Sequence, residues 1–582
     1  MNYSLRKIAI ATTIILAFPM MSHAQRQRRQ HGGHGLGVVK FPVSCSPEAQ
    51  AEFNHATALL HHMTYPQARL AFQKVAQVDS RCAMAHWGVA MTLFEPLWPT
   101  RPGPAALRQG WDEVQRAQQL GPPTKREQLF VSSAEAFFKD PDSHDYWLRI
   151  RRWEKAMSEA YAVFPKDPEV MSFYALAHLA VTPPDRITRD NADRAAKILL
   201  QVYRQNPSHP GAMHYLVHAN DVPGRERELL AITRKYEKVA PDNPHAIHMP
   251  THIYARLGDW EGVIRGNIRA AQAALNYPAG DKGQFVWDEF AHAIEYLVYG
   301  YLQKGDYAAA ARELERLQAV PNLEPTFKTA FHLMSTQARY SLERRAWEEA
   351  AALVPRQPAS LDWNRFTWPE AILRFARGLG AVHVKQLEVA NVESKNLEEL
   401  EAVTRQAGEE LFARNIRVLS LELRGWIAHA NGQDETALES LREAAQLEAT
   451  TPKHAVTPGP TLPAEELEGD LLLEQNQPQM ALAAYRRSLA LYPNRFNSLR
   501  GAALAARALG KRSVARTLYR QLLGIADRNK YHCALGTLTY SLWPPVTHAH
   551  TGDMALVNRG DSDQCAMCVY VNVQELACVP GS

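Results

Sequence analysis

The sequence predicts an all-helical solenoid of repeated helix–turn–helix units, ending in a small cysteine-containing tail. Three observations carry this. From Cys45 onward the apolar residues follow helical periodicity, broken by turn signals every 15–20 residues or so. Alternating β-branched runs are nearly absent until a strand-like stretch at 569–573. Related residues also recur 34 positions apart, the length of a two-helix repeat. Ala481 and Tyr485 return as Ala515 and Tyr519, and Gly469 returns as Ala503.

Length and charge bound the rest. The chain has 582 residues, 46% hydrophobic, and can bury large apolar surfaces. Length alone suggests about three to five domains, but a solenoid evades that count because each unit contacts only its neighbours. The net charge of +4, without a long basic block, gives no case for nucleic acid as the main partner.

Taken in order, residues 1–24 read as a signal peptide. Arg6 and Lys7 precede the apolar run 8–21, and Ser22-His23-Ala24 supplies small residues for cleavage before Gln25. The run is shorter than the roughly 20 residues that span a bilayer, and no later segment spans one. The expectation is a periplasmic or secreted protein with no integral membrane segment after cleavage. Residues 25–44 are basic, Gly-containing and aperiodic, and read as a flexible leader.

Residues 45–320 and 321–529 read as two consecutive repeat arrays. In the second, Ala481, Tyr485 and Pro493 form an A-x3-Y-x7-P pattern, with Gly469 twelve residues before Ala481. Weaker copies lie at Ala68/Phe72, Ala310/Leu314, Ala350/Val354 and Ala437/Leu441. These small–aromatic–proline positions resemble the tetratricopeptide repeat (TPR) family, over most of residues 47–528. The strings CAMAHWGVAM (82–91), HPGAMHYLVHAND (209–221), HAIHMPTHIYARLGDW (245–260) and HAIEYLVYGYLQKGDY (292–307) are similar to a group of exported bacterial TPR proteins. The resemblance implies a right-handed superhelix of helix pairs, with the first helix of each pair lining a concave, ligand-binding groove. It supplies no activity.

Within the first array one chemical pattern stands out. His214 and His218 are four apart, as are His248 and His252, and the two pairs are 34 residues apart. Residues four apart share a helix face. Aligned on the turn glycines Gly258 and Gly305, the family pattern puts His245, His248, His252 and Arg256 on the groove face of one helix. It puts His214 and His218 on the helix before, and His292, Glu295 and Tyr299 on the helix after. Helical spacing agrees independently, and adds Asp221 to the first pair.

A lone helical histidine is usually a packed or surface residue. His55, His61, His62, His86, His332, His383 and His429 take that reading. The matched histidines do not, because groove positions are not those that hold a helix pair together. Neutral imidazole is the commonest metal ligand, and two at i, i+4 chelate one ion. His214, His218, His248 and His252, with Asp221, His292 and Glu295 as further ligands or orienting groups, form a candidate site for a transition metal, Zn or Cu foremost. Its affinity is expected to fall as pH drops through about 6.5. Two other readings stand beside it. The groove, with His245, Arg256 and Tyr299 as polar contacts, binds a protein or peptide ligand without metal. Or the same cluster serves a metal-dependent enzyme, a hydrolase or copper oxidase. G-x-S-x-G, Walker A and H-E-x-x-H motifs are absent.

Residues 530–582 read as a cap or tail holding four of the six cysteines. An even number in an exported chain favours disulfides. Cys45 and Cys82 are candidates for one bridge, and Cys533, Cys565, Cys568 and Cys578 for pairing within the tail in an order the sequence leaves open. Cys565-x-x-Cys568 as a zinc or redox pair is the alternative.

Overall fold

The computed structural model describes residues 35–143, 145–182, 189–280 and 282–526. The expected signal peptide lies outside the described residues, as do the cysteines of the 530–582 tail and its strand-like run. The described chain is the expected all-helical, TPR-like solenoid, with successive helices packed on one another. Among the described residues one small sheet pairs Pro278–Ala279 with Phe285–Val286.

Local chemistry sets the elements. Ser46 caps the helix Pro47–His61 by accepting from the Ala49 amide, with Pro47 in the first turn, where its missing N–H costs nothing. Gly258 ends the helix Pro250–Leu257 at φ 65°, a conformation that a Cβ would strain. Gly469 faces Tyr485 so closely that an added Cβ would lie 2.8 Å from the ring, which explains the small residue twelve positions before Ala481. Two hydrophobic cores dominate, one running from Val39 to Trp287 and one from Ile247 to Leu471. A smaller one fills the last two helix pairs. The Cys45–Cys82 disulfide, with a Cα–Cα distance of 5.0 Å, ties the start of the first helix to the start of the third.

Two features depart from the sequence reading. The part of the expected flexible leader that is described, 35–44, is packed: Phe41 is fully buried against Phe53, Trp87 and Phe130. Three bulky rings on one face give that segment a socket. The concave face is also not open. The array turns back on itself, so that residues 451–463 fill the groove. Lys453 reaches Asp221 (2.8 Å), Thr457 O accepts from the Tyr296 hydroxyl (3.2 Å), and Pro460 O accepts from Arg339 (2.6 Å). Arg495, fully buried, closes the turn by pairing with Glu343 and Glu466. Positions that face solvent in an open solenoid are interior here.

Candidate metal centre

Five helices bring the histidines together: Pro210–Asn220, Pro244–His248, Pro250–Leu257, Glu289–Gln303 and Phe327–Glu343. The segment 245–256, expected as one helix, is two. Pro250 has no N–H to continue the ladder. Met249 keeps helical angles, so His248 and His252 still share a face across the break. His292 lies 44 residues after His248 rather than 34, and the hairpin at 278–286 lies within the insertion.

The imidazoles form two triads. In the first, His214 Nε2 lies 3.2 Å from both His218 Nε2 and His245 Nε2. In the second, His248 Nε2 and His252 Nε2 are 3.0 Å apart, and the His292 ring centroid is 4.2 Å from that of His248. Each triad offers three ligand atoms within 4.8 Å of one another. The triads adjoin, with ring centroids 6.2 Å apart for His245 and His248 and 6.3 Å for His218 and His252.

The other ring nitrogens decide where the protons sit. His214 Nδ1 donates to the carbonyl of His61 (2.6 Å) and His245 Nδ1 to Glu289 (3.0 Å). His248 Nδ1 donates to Asn267 Oδ1 (2.7 Å), which is fixed as an acceptor because Asn267 Nδ2 donates to Val263 O. His252 Nδ1 donates to Asp221 (3.1 Å). His292 Nδ1 donates to His332 Nε2 (2.9 Å), whose own Nδ1 donates to Glu295 (2.5 Å). A neutral imidazole has one proton, so five of the six Nε2 atoms present a bare lone pair to the others. The His214–His245 and His248–His252 contacts set two lone pairs 3.2 and 3.0 Å apart, which cannot hydrogen-bond, whereas three Nε2 around a cation at about 2.0–2.1 Å would lie roughly 3.3 Å apart.

Electrostatics keep five of the rings neutral. Burial, reinforced by neighbouring imidazoles, holds His214, His218, His248 and His292 well below their ordinary pKa. Burial lowers His252 too, although Asp221 opposes it. Burial alone would raise the carboxyls around them, but nearby cations and hydrogen-bond donors outweigh it. Lys328 with His245 holds Glu289 well below the carboxylate range, and Lys453 with Arg256 does the same for Asp221. His332 and Arg339 lower Glu295.

The predicted residues thus come together in a different division of labour. His245, expected as a groove contact, sits in the first triad. Asp221 and Glu295 orient imidazoles and stand outside the candidate ligand groups. Tyr299 is buried, with its hydroxyl accepting from Arg495 (3.0 Å). Arg256 grips Asp221 through its side-chain carboxylate (2.5 Å) and backbone carbonyl (2.7 Å). His332, expected as an ordinary packed residue, relays Glu295 to His292. Asn267, Glu289 and Lys453 carry no sequence signal, but His245 was findable from its i, i+3 spacing to His248. His218, which is half-buried, borders a cavity of about 270 Å³ shared with Asp221, Arg256 and Arg339.

A third candidate group joins His61, Glu169 and His209. Its contacts are proton-filled: His61 Nε2 and His209 Nε2 reach Glu169 at 2.8 and 3.2 Å, while His61 Nδ1 accepts from Tyr215 OH and His209 Nδ1 from the Ala212 amide.

No protein-family model matches the chain, and no curated protein matches it. Among solved structures it is similar to the human IFIT1 dimer with m7Gppp-AAAA, at 14% identity and a TM-score of 0.34 over 76% of this chain and 90% of that one. The human IFIT1 dimer with PPP-AAAA gives 12% identity and a TM-score of 0.36 over 77% and 91%. These values are too low to carry an argument about ligand or function.

Proposed function

We propose that this chain is a metalloprotein whose solenoid encloses a pair of transition-metal ions, one in His214/His218/His245 and one in His248/His252/His292. The observation that carries the reading is the set of bare Nε2 lone pairs turned toward each other, five of the six rings being held by an acceptor at Nδ1. All-imidazole triads suit Zn, Cu, Ni or Fe, and the closed shell of Nδ1 partners is what ligating histidines normally have. The reading of a peptide-binding groove is disfavoured by residues 451–463, which already occupy that face. Export to an oxidising compartment is part of the proposal, supported by the apolar run at 8–21 and the Cys45–Cys82 disulfide.

Elemental analysis of protein purified without a histidine tag tests this. The expected result is two ions per chain in the wild type and in His383→Ala, and one in His248→Ala. Metal-free preparations that neither take up Zn or Cu nor gain melting temperature from them would end the proposal.

A further inference from the structure

The charge around the triads bears on which metal they hold and what it does. This inference rests on the two-ion reading above. All six candidate ligands are imidazoles, which bind metal as neutral groups. The three carboxylates that orient the rings, with the adjacent Asp288, face four cations: Glu289 and Asp288 share Lys328 (2.7 and 3.0 Å), Asp221 meets Lys453 (2.8 Å) and Arg256 (2.5 Å), and Glu295 meets Arg339 (2.9 Å). The orienting shell therefore holds no surplus negative charge. Two divalent ions would bring four positive charges into a buried site with nothing to offset them, and burying uncompensated charge is costly. Two Cu(I) ions bring half that, and three imidazoles are ligands that suit copper.

We propose that the triads hold a Cu(I) pair that binds dioxygen between the two ions and oxidises single-ring catechols. Each Cu(I) would give one electron and O2 would take both, leaving it at the peroxide level. The site would carry two positive charges before and after, so the buried shell need not reorganise. The substrate class follows from the cavity. Among the six imidazoles only His218 borders it. Its walls include the rings of Trp98, Tyr146, Trp147, Phe331, Trp368 and Phe412, and its volume of about 270 Å³ suits one aromatic ring with a short substituent. A catechol with its adjacent hydroxyls toward His218 supplies the electrons. Two catechols lose four electrons and four protons to become two o-quinones, while O2 gains them and leaves as two waters.

The test uses the full chain loaded with Cu(I) without oxygen, then exposed to O2. The expected result is a near-ultraviolet absorption band that appears with O2 and disappears on adding 4-methylcatechol. One O2 is consumed per two catechols, and the oxygenated copper gives no paramagnetic resonance signal because the two Cu(II) spins are coupled. His248→Ala keeps one copper and loses the band. Asn415→Trp, which narrows the cavity away from the triads, keeps the band and turns over catechol at least tenfold more slowly. Two bound coppers that develop no band with O2, or that give the full signal of two separate Cu(II) ions, overturn this inference and leave the two-ion reading standing. Unchanged turnover in Asn415→Trp overturns the assignment of the cavity. Failure to bind any metal removes both.

Discussion

Two buried histidine clusters in this molecule differ in which nitrogen carries the proton. In His61–Glu169–His209 the protons sit on Nε2 and point at one carboxylate, and both Nδ1 atoms accept from O–H or N–H donors. Every lone pair is used, so the group is a hydrogen-bonded brace between helices. On five of the six triad rings the proton sits on Nδ1, drawn there by His61 O, Glu289, Asn267, Asp221 and the His332–Glu295 relay. The Nε2 lone pairs are left facing one another. Both clusters are packed between helices and largely buried. The partner of the second ring nitrogen separates a brace from a metal site.

The largest effect expected from breaking that contrast is loss of metal. Replacing both His214 and His248 with alanine removes a ligand from each triad, and metal content should fall from two ions to none. With it goes the stabilisation from binding only the folded state, about 2.7 kcal/mol at a hundredfold excess over Kd. Retention of both ions would show that the triads are not the site.

Glu169→Ala attacks the brace instead. It strands the Nε2–H groups of His61 and His209 in the interior, and each buried donor left unsatisfied costs about 1–3 kcal/mol. Denaturant unfolding should report that loss, while elemental analysis still finds two ions. If metal leaves with Glu169, the two clusters are not separate in function.

Asn267→Ala removes the acceptor that sets the His248 tautomer. Losing such an orienting partner typically weakens metal affinity 10–100-fold. Competition with a chromophoric chelator measures it, and an unchanged affinity would mean that the Nδ1 partners do not matter.

The smallest effect is the most graded, and it revises the pH expected from unperturbed histidine. Burial lowers His214, His218, His248 and His292 well below 6.5, and pushes His62, His383 and His454 down to about 3. Below about 6.5 the unfolded chain binds protons that the folded chain refuses. The stability from these groups is therefore complete above 6.5 and is lost as pH falls toward their folded values. The metal-free protein should melt lower at pH 5 than at pH 7, while metal affinity at pH 6 stays near its pH 7 value. A drop in affinity centred at 6.5 would mean that the triads are more solvated than their burial implies.

Much of this was legible in the sequence because it is local. The 34-residue spacing gave the helix pairs, and i, i+4 spacing gave His214/His218 and His248/His252 as shared faces. What was not legible is set by long-range closure. Nothing near Lys453 indicates that it meets Asp221, 232 residues away in the chain. An open solenoid would have left His245 and Tyr299 at a groove surface. Once 451–463 fills that groove, they become interior. His332 reads as a lone packed histidine, since it sits 40 residues after His292, off the repeat period.

Anomalous X-ray diffraction from crystals of the metal-loaded protein, measured on both sides of the metal's absorption edge, tests the central claim most directly. The account predicts two peaks, one about 2.0–2.1 Å from the Nε2 atoms of each triad, and none at His61–Glu169–His209. A metal-loaded crystal with no peak in either triad, or with its peak at Glu169, would contradict it.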